Sequence, residues 1–136
     1  MNHELLQLEE QLMRNNRFRE LIGIQIEDIR EGYAKLSVSV DDKLLQSGDF
    51  VHGGVLAVLI DSVIASAIRT VLDQGKMAVT AEMNVNFLRP AKKGKLIAEG
   101  QLVNKGRLLM VGTGDVKDEE GRLLATGRAT FAVQDR

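Results

Sequence analysis

Hydrophobic positions along this chain follow two periods, and the switches between them mark out the elements. In residues 4–16, Leu5, Leu8, Leu12 and Met13 recur at helical spacing with Glu and Gln between them, which predicts a short amphipathic helix. Gly23–Arg30 alternates, with Ile24 and Ile26 among polar neighbours. Glu31-Gly32 is a turn signal, and Tyr33–Val40 alternates again with Ala34, Leu36, Val38 and Val40 on one face, so the two runs predict a hairpin. Residues 41–51 are mostly polar, contain Gly48, and read as a loop carrying Gln46. A long apolar helix follows over about 53–73, ended by Asp73-Gln74-Gly75. Met77–Leu88 has the cleanest alternation. Val79, Ala81, Met83, Val85 and Phe87 share one face, and Thr80, Glu82, Asn84 and Asn86 the other. Pro90 and Gly94 break it, and Leu96–Val103, Arg107–Val116 and Leu123–Val133 follow through turns at Lys105-Gly106 and Asp118–Gly121. These short connections predict that the last four strands pair as an antiparallel meander. One long helix and about six strands predict an α+β fold in which an antiparallel sheet wraps around the helix. No repeat or linker divides residues 1–136, so the expectation is one domain.

Asp61 is the position that breaks the pattern. It sits mid-helix in His52-Gly53-Gly54-Val55-Leu56-Ala57-Val58-Leu59-Ile60-Asp61-Ser62-Val63-Ile64-Ala65-Ser66-Ala67-Ile68, a segment greasy on nearly every side. A helix apolar all round belongs in a core, and a carboxylate there needs a partner or a task. Positions 54, 57, 61 and 65 share a face and carry Gly, Ala, Asp and Ala, which leaves room beside the acid for a ligand or a second backbone. A competing reading keeps Asp61 purely structural, capped by Ser62 or bridged to an arginine. His52-Gly53-Gly54 opens the same helix with bare N–H groups at its positive end, where a developing oxyanion would be stabilised, although Gly-Gly before a helix also serves as a plain turn. Along a helix, His52 and Asp61 stand roughly 13 Å apart. If both serve one site, the second comes from another subunit, and a two-fold pair of identical chains would build that site twice.

Composition narrows the chemistry. The chain has no cysteine, which excludes disulfides, thiolate metal sites and a Cys nucleophile, and only His3 and His52, which argues against a His-rich metal site. With 18 basic and 19 acidic residues the net charge is −1, so nothing draws the chain to nucleic acid or an anionic membrane. Asp61 and Arg69 inside the long apolar stretch argue against a membrane span. The N-terminus lacks a basic n-region, so a cytoplasmic protein is the expectation.

The motif set His52-Gly53-Gly54, Asp61, Thr80-Ala81-Glu82-Met83-Asn84-Val85-Asn86-Phe87-Leu88-Arg89-Pro90, Lys105-Gly106-Arg107 and Asp118–Arg122 resembles the hotdog-fold acyl-CoA thioesterases of the phenylacetate-pathway (PaaI-like) type, over residues 20–133. The resemblance implies a hotdog fold, an acyl-CoA substrate, no cofactor or metal, and homodimers that pair further into homotetramers. It implies that the Gly53 N–H polarises the thioester carbonyl, with Gly54 beside it, and that Asp61 of the partner subunit is nucleophile or general base. Gln46 matches a position where the family carries Asn or Gln near the attacking water, and Thr80 matches a hydroxyl close to the acid. His52 is implied to hold the loop near the carbonyl. A related group carries Thr four residues beyond the acid, where this chain has Ala65.

Coenzyme A phosphates call for basic groups, and Arg89, Lys92, Lys93, Lys95, Lys105 and Arg107 gather near strand ends. Of these, Arg89, Lys92, Lys93 and Arg107 are the candidate substrate contacts, against the reading of a merely solvated sheet edge. Two rival functions are a non-catalytic acyl-CoA-binding module and a hotdog hydratase or dehydratase. The second pairs a His with an acid in a different order, and no second histidine lies near His52 here. The acyl group itself is not legible in a chain with a single tyrosine and no tryptophan.

Overall fold

The long helix, α3 (Gly53–Arg69), sets the architecture through a two-wide apolar stripe. Val55, Leu56, Leu59, Ile60, Val63, Ile64, Ala67 and Ile68 are all buried. That repeat covers one side of a 3.6-residue helix. The opposite side, Gly54, Ala57, Val58, Asp61, Ser62 and Ala65, is not buried. Asp61 is therefore half-buried on an open stripe, not sunk in the core as the all-round apolar reading expects. That reading counts small residues as core residues, whereas here they line an uncovered face. The helix also stops short of the predicted end near 73. Thr70 Oγ1 donates to the Ala67 carbonyl at 2.6 Å and accepts the Gly32 N–H at 2.7 Å, so its side chain ties off the helix and anchors a hairpin turn.

A computed structural model describes residues 1–136. Around α3 it arranges α1 (His3–Met13), α2 (Arg17–Ile22), β1 (Gln25–Arg30), β2 (Tyr33–Ser39), β3 (Lys76–Phe87), β4 (Lys95–Lys105), β5 (Leu109–Lys117) and β6 (Leu123–Asp135). The helix predicted over 4–16 is α1, and a second helix, α2, which the spacing did not predict, follows it. Asn16 Oδ1 caps α2 by accepting the Arg19 N–H, and Gly23 closes it at φ 86°, a left-handed conformation suited to glycine.

The strands form one antiparallel sheet in the order β1-β2-β4-β5-β6-β3. With α3 packed on its inner face, this is the expected hotdog fold. The meander expectation holds for β4, β5 and β6 and fails for β3, which pairs with β6 at the far edge while β4 pairs with β2. The 88–94 connection crosses the ends of β6 and β5, about 14 Å or three strand spacings, which an extended chain reaches easily. Leu88 and Arg89 donate to the Leu124 carbonyl on the way.

A register shift between Thr80 and Glu82 adds a second correction. A bulge at Ala81 reverses the faces of β3. Ala78, Met83 and Val85 pack on the core. Thr80 lies opposite the buried Phe131 and turns toward α3. Unbroken alternation would have put Thr80 on the outer face with Glu82.

A row of small residues, Ala34, Gly100, Gly114 and Gly127, crosses four neighbouring strands in register. It is the floor on which α3 rests. A Cβ at Gly100 would stand 2.6 Å from the Val63 carbonyl oxygen, a backbone atom that cannot swing aside. Gly100→Ala is expected to lose about 1–3 kcal/mol of stability, read as a fall of several degrees in Tm. An unchanged Tm would show that α3 is not seated on this row.

Candidate active site

Local chain geometry first builds the mouth of α3. Leu45 and Val51 form an antiparallel bridge, and Gln46 N–H donates to the Phe50 carbonyl at 2.9 Å. Val51 N–H donates to the Ala91 carbonyl and His52 N–H to the Leu44 carbonyl. The 45–52 segment is thus pinned between the 3₁₀ turn Asp42–Leu44 and the β3–β4 connection. His52 is exposed and caps the helix, its Nδ1 accepting the Gly54 N–H at 2.9 Å. That occupies Gly54. The Gly53 N–H donates to no group within the chain. An unpaired N–H on the first turn of a helix is a donor awaiting an acceptor.

Gly53 opens into a cleft of about 270 Å³ with Gln46, Phe50, Leu56, Phe87 and Arg89 in its walls. Phe87 lies across Gly53, 3.5 Å from where a Cβ would stand, and is 55% exposed. Alternation put Phe87 on one face with Met83 and Val85, and there it lies, against the head of α3, but alternation alone did not mark it as a wall of this cleft. Strong apolar residues at a strand end beside Leu-Arg-Pro were the available signal.

Asp61 stands elsewhere. Its Oδ1 accepts a hydrogen bond from Thr80 Oγ1 at 2.7 Å, across the gap between the open stripe of α3 and the bulge of β3. Neither residue lines the Gly53 cleft. Gly53 and Asp61 are separated by about 12 Å of helix rise. Within one chain the candidate residues therefore fall in two separate places: Gly53 with Gln46, and Asp61 with Thr80.

The basic residues also divide. Arg89 lines the Gly53 cleft and a neighbouring one of about 380 Å³, which also holds Lys92, Lys93 and Lys95. Lys93 pairs with Asp42, whose hydrogen bond and charge hold the ammonium pKa above its ordinary value. Asp118, Glu119 and Glu120 face these cations, with Asp118 bonded to Arg122. Lys105 and Arg107 lie in a separate cleft with Lys76 and Asp135, at the opposite end of β4 and about 33 Å away along that strand. Within one chain Arg107 thus stands apart from Lys92 and Lys93, contrary to the single cluster read from the sequence.

A buried polar cluster escaped the sequence reading altogether. Glu9, Arg19 and Ser66 are buried beneath α1 and α2, with Arg69 beside them. Glu9 sits next to Leu8 and one turn from both Leu5 and Leu12, so a carboxylate within the apolar stripe of α1 was the signal.

Comparison with known proteins gives one consistent result. The thioesterase superfamily model matches residues 48–125, a stretch that holds Gly53, Asp61 and Thr80 and begins just after Gln46. The 1,4-dihydroxy-2-naphthoyl-CoA hydrolase of Listeria monocytogenes is 27% identical over 118 residues, covering 87% of this chain and 96% of the relative. A thioesterase of Haemophilus influenzae superposes with a TM-score of 0.86 at 31% identity, covering 93% of this chain and 87% of that one. The PaaI protein of the E. coli phenylacetic acid degradation operon superposes with a TM-score of 0.88 at 27% identity, covering 96% and 93%. No helix of the chain is long and apolar enough to cross a membrane.

Proposed function

The chain belongs to the thioesterase superfamily, as a PaaI-like hotdog thioester hydrolase, and from that premise we propose that it hydrolyses an acyl-CoA at a site shared by two subunits. The observation that carries this reading is the unpaired Gly53 N–H at the head of α3, opening onto an apolar cleft. The thioester carbonyl oxygen accepts from that N–H. As water or the Asp61 carboxylate adds to the carbonyl carbon, the oxygen gains charge, and the positive end of α3 stabilises it. The C–S bond then breaks and the CoA thiolate leaves: where water attacks, Asp61 takes its proton and the free acid is released, and where Asp61 attacks, a water then hydrolyses the acyl-Asp61 anhydride to free acid and carboxylate. Thr80 donates to Asp61 and fixes the carboxylate for its part as base or nucleophile.

Pairing supplies the missing half. β3 is an edge strand of twelve residues, long enough to pair with its own copy. A two-fold axis beside β3 lays two α3 helices antiparallel, with their open stripes facing. If the axis passes level with Ala57, Gly53 of one helix stands level with Asp61 of the other, since each lies four positions from Ala57. Gly54 and Ala57 keep that crossing small. Further pairing into tetramers is part of the same proposal.

Release of free CoA, followed with a thiol-reactive dye across a panel of acyl-CoAs, tests the function. Turnover of at least one ester is expected, and no CoA release from any of them would overturn the reading. Thr80→Ala should lower kcat by about 5- to 30-fold, the equivalent of a hydrogen bond worth about 1–2 kcal/mol, while Thr80→Ser keeps most activity. An unchanged rate in the alanine variant would reduce Thr80 to a sheet residue. Replacing Lys92 and Lys93 together by alanine should raise KM several-fold for CoA esters and spare small thioesters that lack the nucleotide. Phosphate contacts made equally in ground and transition states give that pattern, and equal effects on both substrates would remove these lysines from the CoA site.

A further inference from the structure

α1 and α2 dock on α3 through buried charge that has no part in the steps described above. Glu9 is 2% exposed and Arg19 is 8% exposed. Glu9 accepts from Arg69 Nε at 2.7 Å, Arg69 Nη2 at 2.8 Å and Ser66 Oγ at 2.5 Å, with Arg19 Nη1 farther off at 3.4 Å. Arg19 points its other nitrogen elsewhere: Nη2 donates to Ser66 Oγ at 2.7 Å and to the Ser62 carbonyl at 2.8 Å. One carboxylate faces two guanidiniums, so the cluster carries one surplus positive charge. A buried charge left uncompensated is costly. Glu9 and Arg69 already satisfy each other in a two-point pair. The surplus therefore resides on Arg19, and Arg19 is held against the residue that follows Asp61.

We propose that Arg19 is a positioning residue for Asp61: anchored on the Ser62 carbonyl, its guanidinium fixes the turn of α3 that carries Asp61. This inference rests on Asp61 being the catalytic carboxylate. Thr80 of β3 holds the Asp61 carboxylate from the other side, and Arg69 is two turns away and tied to Glu9 of α1, so Arg19 is the charged side chain that α2 lays on the Asp61 turn. A second copy paired as above brings its own His52 near. That group is common to every variant and drops out of the comparison.

Glu9 and Arg19 both keep their charge at neutral pH. Burial alone would raise the Glu9 pKa, but the hydrogen bonds and charge of Arg69, with Ser66 and Arg19, outweigh it and hold the carboxyl below its ordinary value. Burial and the repulsion of Arg69 push Arg19 down to about 10, which leaves it charged at neutral pH.

The experiment compares kcat and KM on an acyl-CoA for the full chain and for Arg19→Met, Arg19→Gln and Arg69→Met, with Tm measured for each. Arg69→Met removes the same charge and the better bonds to Glu9, but leaves the Ser62 contact. In both Arg19 variants kcat should fall about tenfold with KM changed less than about twofold, the pattern of a misplaced reacting group. In Arg69→Met kcat should stay within about threefold of native, although Tm falls at least as far. Arg19→Lys should recover most of the lost kcat. The glutamine variant carries the test if the methionine variant does not fold. Equal loss of kcat in the Arg19 and Arg69 variants, or a loss that falls on KM and not on kcat, makes the cluster a structural dock and overturns the inference. Asp61→Asn separates the two layers. If it keeps full turnover, the reading of Asp61 has failed. If it is dead and the Arg19 variants keep the native kcat, only the present inference has.

Discussion

Asp61→Asn is expected to fold normally and to lose about 100- to 10,000-fold in kcat, the range associated with a positioned proton-transfer group. The amide matches the carboxylate in size and still accepts from Thr80 Oγ1 at the oxygen that now receives it at 2.7 Å. The half-buried, open position of residue 61 on α3 leaves the packing of the apolar stripe untouched. What the amide lacks is the capacity to take a proton from water or to attack a carbonyl. The measurement is kcat on an acyl-CoA that the native protein turns over, alongside Tm. A folded variant within a few-fold of the native rate would exclude Asp61 from the chemistry.

Gly53→Pro should lose about 100- to 1,000-fold in kcat, the cost of one oxyanion donor. Proline removes an N–H and little else at this position. The first helical residue is where proline is best tolerated, because its N–H has no partner inside the helix. His52 already has φ −59° and ψ 132°, the extended geometry required before proline. Gly53→Ala is the control. Its Cβ would meet Phe87 at 3.5 Å, an ordinary contact, and its N–H remains. The alanine variant should stay within several-fold of the native rate while the proline variant collapses. Similar losses in both would point to crowding of the cleft, not to the donor.

Much of this was legible in the chain because the signals are local. The apolar stripe of α3, the Gly-Gly opening and the isolated Asp61 need no partner element to be noticed, and the alternation of the later strands gives their number and length. What the sequence hid depends on other elements. Whether β3 joins β4 or β6 is decided by how far the sheet curls around α3, not by the 88–94 connection. One added residue at Ala81 turns Thr80 inward, and no composition signal marks it. The exposure of Asp61 followed from Ala and Gly, which read as apolar in a profile yet contribute little to covering a helix. The Glu9–Arg19–Arg69 cluster joins three helices, so its members look in the sequence like ordinary surface charges. Lys92 and Arg107 seemed neighbours only because strand ends were counted together, without regard to which end of the sheet each occupies.

The most direct test of the shared site mixes two dead proteins. Asp61→Asn and Gly53→Pro chains are co-refolded, and formation of mixed dimers is followed by differential tags. Each mixed dimer has one site with both defects and one with neither. With random pairing about half the dimers are mixed, so activity should recover to about a quarter of the native value, while each variant alone stays inactive. Mixed dimers that form and remain dead would show that Gly53 and Asp61 act within a single chain, and would contradict the account.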